Sequence, residues 1–203
     1  MVSISTTLFT LIASAAVWGA CGGSNASTNR NYEYVRDACR VTKYPNLCVR
    51  SLSTYSDEAK RSPQRWARAA VSVTLAEAES AGQYLARFKG GEGMRGRAKM
   101  ALLDCMECFQ DTIDQLHSSL FELRRLQRKT FERQIGDIET WVSAALTYED
   151  TCLDGWNRYG GAQARALRSK VGNVSMFTSN ALALVNRLAS EGSGAAVLDD
   201  GLS

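Results

Sequence analysis

Histidine and proline are almost absent from this chain. Its 203 residues include one histidine, His117, and two prolines, Pro45 and Pro63. A single histidine excludes His-triad zinc centres and paired-histidine helix motifs, and with them most metal-assisted hydrolases. Charge of either sign is not in surplus: 24 Lys and Arg against 21 Asp and Glu leave a net +3. That excess is too small to mark a nucleic-acid binder. Alternation of the kind that makes half-buried strands is missing too. The one glycine-rich run, GGEGMRG, has no strand before it, which argues against a phosphate loop and for a helix connection. Nothing here calls for a cofactor or a catalytic centre. What the composition does hold is Ala, Leu, Arg and Glu in helix-forming proportion.

The first twenty residues, MVSISTTLFTLIASAAVWGA, carry no charge. Their apolar centre is too short to span a bilayer but suits the core of a signal peptide. Small residues between Gly19 and Gly23 place the cleavage there, so residues 1–22 are expected to be removed, leaving no membrane segment. Cys21 falls in the cleavage zone. Cys39, Cys48, Cys105, Cys108 and Cys152 remain, and an odd count in an oxidising compartment gives two bridges and one free thiol. Two N-glycosylation sequons, at Asn25 and Asn173, fit the same compartment.

Beyond a polar leader, the Cys39–Cys48 segment reads as two short helical pieces around Tyr44-Pro45-Asn46, with Pro45 setting the turn. Four long helical patterns follow. One, from Pro63 to Phe88, puts Trp66, Ala70, Val73, Tyr84 and Phe88 on one face, with Ser62 as its cap. A second, from Arg95 to Gln127, carries Leu102, Cys105, Phe109, Ile113, Leu116, Leu120 and Leu123. A third, from Thr130 to Trp156, carries Ile138, Trp141, Ala145, Tyr148 and Cys152. A fourth, from Ala162 to Ala189, carries Leu167, Val171, Val174, Thr178, Ala181, Val185 and Leu188. The expected fold is all-α: an up-down-up-down four-helix bundle over 31–192, opened by a helical hairpin and closed by a disordered tail over 193–203.

Cys105 and Cys152 lie within the apolar stripes of their helices. Cys108, about 60° round from Cys105, points to a flank near Asp104 and Asp111. Cys105–Cys152 is therefore the expected bundle staple, Cys39–Cys48 the fastener of the hairpin, and Cys108 the free thiol.

The segments CRVTKYPNLC, ALLDCMECFQDTIDQL, WVSAALTYEDTCLDGW and VSMFTSNALALVNRL together resemble the plant invertase and pectin methylesterase inhibitor family, from Tyr34 to Leu188. The resemblance implies the same bundle, hairpin and two bridges, and no catalysis. It implies a secreted protein of the wall space that binds a cell-wall enzyme one-to-one and covers its substrate cleft. The wording SAALTYEDTCLDGW and SNALALV looks like the pectin methylesterase branch, and the chain reads as a stand-alone inhibitor. Acid invertase is the alternative target; a pectin-binding bundle without an enzyme target is the alternative of another class.

Candidate binding residues follow. Thr151, before Cys152, belongs to the inhibitory surface if the resemblance holds; its plainer reading is a mid-helix Thr bonded to its own backbone. Asp104, Glu107, Asp111 and Asp114 form an acidic stripe on the second long helix, from which Glu107, Asp111 and Asp114 are expected beside Thr151 at the contact. RRLQRKTFER clusters Arg124, Arg125, Arg128, Lys129 and Arg133 around a turn that is either a solvated loop or a weak contact for anionic pectin.

Overall fold

The computed structural model describes residues 23–89 and 95–200. The expected signal peptide with Cys21, the connection at 90–94 and the last three residues lie outside the described residues. The elements are α1 (Gly23–Cys39), α2 (Pro45–Leu52), a 3₁₀ turn (Ser53–Tyr55), α3 (Ser56–Ala59), α4 (Pro63–Lys89), α5 (Arg97–Leu123), a second 3₁₀ turn (Arg128–Thr130), α6 (Phe131–Trp156) and α7 (Gly161–Asp200).

Helices α4 to α7 form the bundle, each packed against the next, with α7 closing the square against α4. The core is apolar at every level, from Trp66 and Leu123 through Phe109, Leu116, Ile138 and Val142 to Leu167 and Val171. Pro63 opens α4, where its missing N–H costs nothing. The Arg65 N–H donates to Ser62 Oγ at 3.4 Å, the expected cap. The α7 stripe is buried at all seven expected positions.

Elsewhere the stripes shift. On α4, Val73, Tyr84 and Phe88 are only half-buried, while Ala67, Val71, Thr74, Ala78, Ala81 and Leu85 fill the core. On α5, Ile113 is half-buried and Thr112 and Ser119 turn inward. On α6 the inward residues are Val142 and Glu149, not Trp141 and Tyr148. Small residues let adjacent backbones approach, so the larger rings move to the flanks and cover the seams.

The hairpin is longer than its short cysteine step suggests, because α1 begins at Gly23 within the segment read as a polar leader. Cys39 and Cys48 are bonded, with Cα atoms 5.7 Å apart. The turn between them is fixed from α7: the Tyr44 N–H donates to Asn180 Oδ1 at 2.9 Å, and Asn180 Nδ2 donates to the Tyr44 carbonyl at 3.0 Å. Arg187 of α7 donates to the Asp37 carbonyl and carboxylate of α1 at 2.9 and 3.0 Å. Trp66 Nε1 donates at 2.8 Å to the carbonyl of Lys60, whose φ of 47° turns the chain sharply into α4.

At its far end α7 is helical to Asp200, so its backbone continues through most of the segment read as a disordered tail. Gly192 lies against the Phe131 ring, and a side chain there would require that ring to move.

Candidate functional site

The Cys105–Cys152 bond brings α5 and α6 to a Cα separation of 4.5 Å. Thr112 Oγ1 donates across the same seam to the Ala145 carbonyl at 3.4 Å, which fixes the antiparallel register. The flanks of α5 are then assigned by their partners. Ile113 meets α4 at Gly82, and His117 lies 3.6 Å from Glu79 of α4. Counting 100° per residue from Cys105, both stand on one side; Cys108, Asp104 and Asp111 stand on the other, toward α6.

Glu107 and Asp114 do not join them. They stand about 160° and 180° round from Cys105, on the back of α5. Both are exposed, and Asp114 takes a 3.2 Å hydrogen bond from Gln110. Asp111 is half-buried against the seam. The acidic stripe therefore splits: Asp104 and Asp111 border the α5–α6 groove, whereas Glu107 and Asp114 face outward. Sequence reasoning treated the four as one band because an outward arc on a helix is wide; the bridge register is what divides it.

Thr151 is exposed. Its hydroxyl donates to the Thr147 carbonyl at 2.8 Å, so the plainer expectation of a backbone bond holds, while its methyl remains free for a partner. Glu149, two residues earlier, faces Thr178 of α7. Thr151 is rotated about 160° from it and so lies on the α5 side, on the groove shared with Asp104 and Asp111.

Among the described residues Cys108 is the free thiol, half-buried on this flank. Burial pushes its pKa up, and the carboxylates of Asp111, Glu107 and Asp104 push it further, against the pull of a backbone hydrogen bond. It is a protonated, weakly nucleophilic thiol.

Glu149 is the residue the sequence patterns missed. It is closed to water, and desolvation raises its pKa to about 8, against the hydroxyls of Thr178 and Ser175; Asp150 adds a smaller upward push. Thr178 Oγ1 lies 2.6 Å from Glu149 Oε1 and 3.1 Å from the Val174 carbonyl. One hydroxyl proton cannot serve both acceptors. A neutral Glu149 that donates to Thr178 Oγ1, while Thr178 donates to Val174, satisfies the chain.

The sequon at Asn173 lies in the middle of α7, half-buried, where a glycan acceptor is expected on a surface loop. The Asn25 side chain lies outside the described residues. Among the described residues, no helix is long and apolar enough to cross a membrane.

Residues 33–184 match the family described as plant invertase/pectin methylesterase inhibitor. The chain belongs to that family. Its members are inhibitors without catalytic activity of their own. Pectinesterase inhibitor 6 of Arabidopsis thaliana is 41% identical over 182 residues, covering 85% of this chain and 86% of that protein. Pectinesterase inhibitor 9 of the same plant is 38% identical over 176 residues, covering 82% and 86%. A crystal structure of a mutant pectin methylesterase inhibitor from Arabidopsis shares the fold, with a TM-score of 0.60 and 24% identity over 73% of this chain and 92% of that one. The relatives' names place the chain in the pectin methylesterase branch, as the wording around Cys152 suggested.

Proposed function

We propose that this protein is a secreted inhibitor of pectin methylesterase, acting in the wall space, which binds the enzyme one-to-one through the α5–α6 face and covers its pectin-binding cleft. The observation that carries the reading is that face itself. Two rigid helices, bonded at Cys105–Cys152, present Thr151 beside Asp104 and Asp111 on an inhibitor-family scaffold. A steric block needs no catalytic group, only a stiff surface of sufficient size, on the order of 1,600 Å² buried in total. Rigid side chains held on packed helices lose little freedom on association. The carboxylates steer the approach to a cationic partner surface and make association weaken with salt.

The test is residual pectin methylesterase activity, with acid invertase assayed in parallel and helix content checked for each variant. Thr151→Arg is expected to abolish most inhibition, because it forces a long charged side chain into a packed contact. Asp111→Ala is expected to weaken it less, chiefly through a slower association rate. Glu107→Ala and Asp114→Ala, on the back of α5, are expected to change little. Parent-like inhibition by a folded Thr151→Arg protein moves the contact to another face. Inhibition of invertase alone replaces the target.

A further inference from the structure

The end of the bundle away from the Cys105–Cys152 bond holds a second charged site. A groove of about 210 Å³ opens between α3, α4 and the end of α5, lined by Arg65, Arg68, Arg124, Tyr55, Glu58 and Leu120. Three guanidiniums line the groove with a single carboxylate, that of Glu58. Arg68 pairs with Glu58 Oε1 at 2.6 Å, Arg65 donates to the Glu58 backbone carbonyl at 2.5 Å, and among the described residues no ion pair reaches Arg124. Next to Arg124, the Arg125 guanidinium stacks 4.7 Å from the centre of the Phe121 ring, which is 55% exposed.

Helix electrostatics explains only half of this. Arg124 and Arg125 follow the C-terminus of α5, where cations are favoured; Arg65 and Arg68 occupy the first two turns of α4, where they are not. The first turn of α4 has no acidic residue. The site is also held in shape. Gln64 Nε2 donates to the Leu123 carbonyl at 3.2 Å. The buried Gln134 amide accepts from the Gln127 N–H and the Thr130 hydroxyl, and donates to Glu122 and the Arg125 carbonyl. A cationic turn fixed by five side-chain hydrogen bonds is not a loose solvated loop.

We propose that this groove binds a linear polyuronate, a sugar chain with a carboxylate on each ring. Guanidinium groups take carboxylates in paired hydrogen bonds, and exposed aromatic faces take the apolar face of a sugar ring. A single-stranded nucleic acid offers phosphates and stacking bases to the same groups, so the choice between the two rests on the wall setting and on the DNA arm of the experiment. In the setting proposed above, the de-esterified product of the target enzyme is such a chain, so the inhibitor would concentrate where the esterase has already worked. The ligand choice rests on that wall setting, but the site is separate from the α5–α6 face.

The experiment is calorimetry on the purified full chain with a de-esterified oligogalacturonate, its methyl ester and a single-stranded DNA of equal charge. Binding to the free acid, weakened by salt, with little binding to the ester or the DNA, is the expected result. Arg65→Glu with Arg124→Glu should lower that affinity by about tenfold or more. Arg97→Glu with Lys99→Glu, at the opposite end of α5, should leave it unchanged. Where charge reversal unfolds the chain, Arg65→Gln with Arg124→Gln gives the same reading. Equal binding of the ester or of DNA overturns the proposal, as does a folded double variant that binds like the parent. Esterase inhibition by the double variant should persist; its loss together with polyuronate binding would make the groove part of the esterase contact and overturn a separate site. A parent that binds polyuronate without inhibiting esterase refutes the proposed function and leaves this site standing.

Discussion

Gln134 and Glu149 lie on the same helix, about four turns apart, and both are closed to water. Their polar atoms fare differently. The Gln134 amide makes two donated and two accepted hydrogen bonds. Glu149 has Thr178 at Oε1 and no hydrogen bond at Oε2, since the nearby Ser175 hydroxyl donates to the Val171 carbonyl at 3.3 Å. A satisfied buried amide acts as a joint, here holding the turn between α5 and α6. An incompletely satisfied buried acid survives only by keeping its proton, which ties the stability of the α6–α7 seam to pH.

The largest effect expected from that contrast is a pH slope. Glu149 keeps its proton in the fold to about pH 8, whereas the unfolded chain loses it in the ordinary carboxylate range. Its contribution is therefore fully present below that range and falls as pH rises toward 8. The loss approaches tenfold in the folding equilibrium per pH unit within the window. Urea unfolding of the oxidised protein between pH 5 and 8 measures it, and Glu149→Gln should flatten the slope. A slope equal in both proteins assigns it to other groups.

Next in size is Gln134→Ala, expected to cost about 2 to 3 kcal/mol by leaving several partners without a bond. It should do so with no added pH dependence between 5 and 8, and it should loosen the basic turn, read as faster amide exchange at Gln127. Glu149→Leu should change stability by less than about 1.5 kcal/mol at pH 5, because Thr178 keeps its bond to Val174 and the orphaned oxygen disappears. Above pH 7 the same variant should be more stable than the parent. The smallest effect is Thr130→Val, which removes one of the four Gln134 bonds and should cost about 1 kcal/mol.

The same contrast marks what a linear reading reaches. Apolar residues that recur on a helix announce themselves, so the α7 face and the cysteine pairs were legible from spacing. Glu149 was not, because its charge argues for solvent and its partner Thr178 arrives from 29 positions away. Counting apolar residues chose Tyr148 for the core in its place. Asn180 and Gln134 were hidden for a similar reason: each is buried only because backbone groups elsewhere need it, in the case of Asn180 from a turn 136 positions distant. The acidic stripe was visible as a band, but its division between groove and outer surface depends on which flank of α5 meets α6. The α3–α4 half of the basic groove meets the α5 half only once the bundle has folded.

One more consequence follows from the thiol that stands a helical turn from the staple. Cys108 and Cys105 are three residues apart on α5, which places them within reach of each other's chemistry. A thiolate there would attack the Cys105–Cys152 bond and trade partners, unfastening the helices that carry the proposed contact face. Burial and the carboxylates of Asp111, Glu107 and Asp104 hold the sulfur in its protonated form, in which it does not attack. The negative flank thus favours the form of Cys108 that does not attack, which slows exchange at the bond beside it.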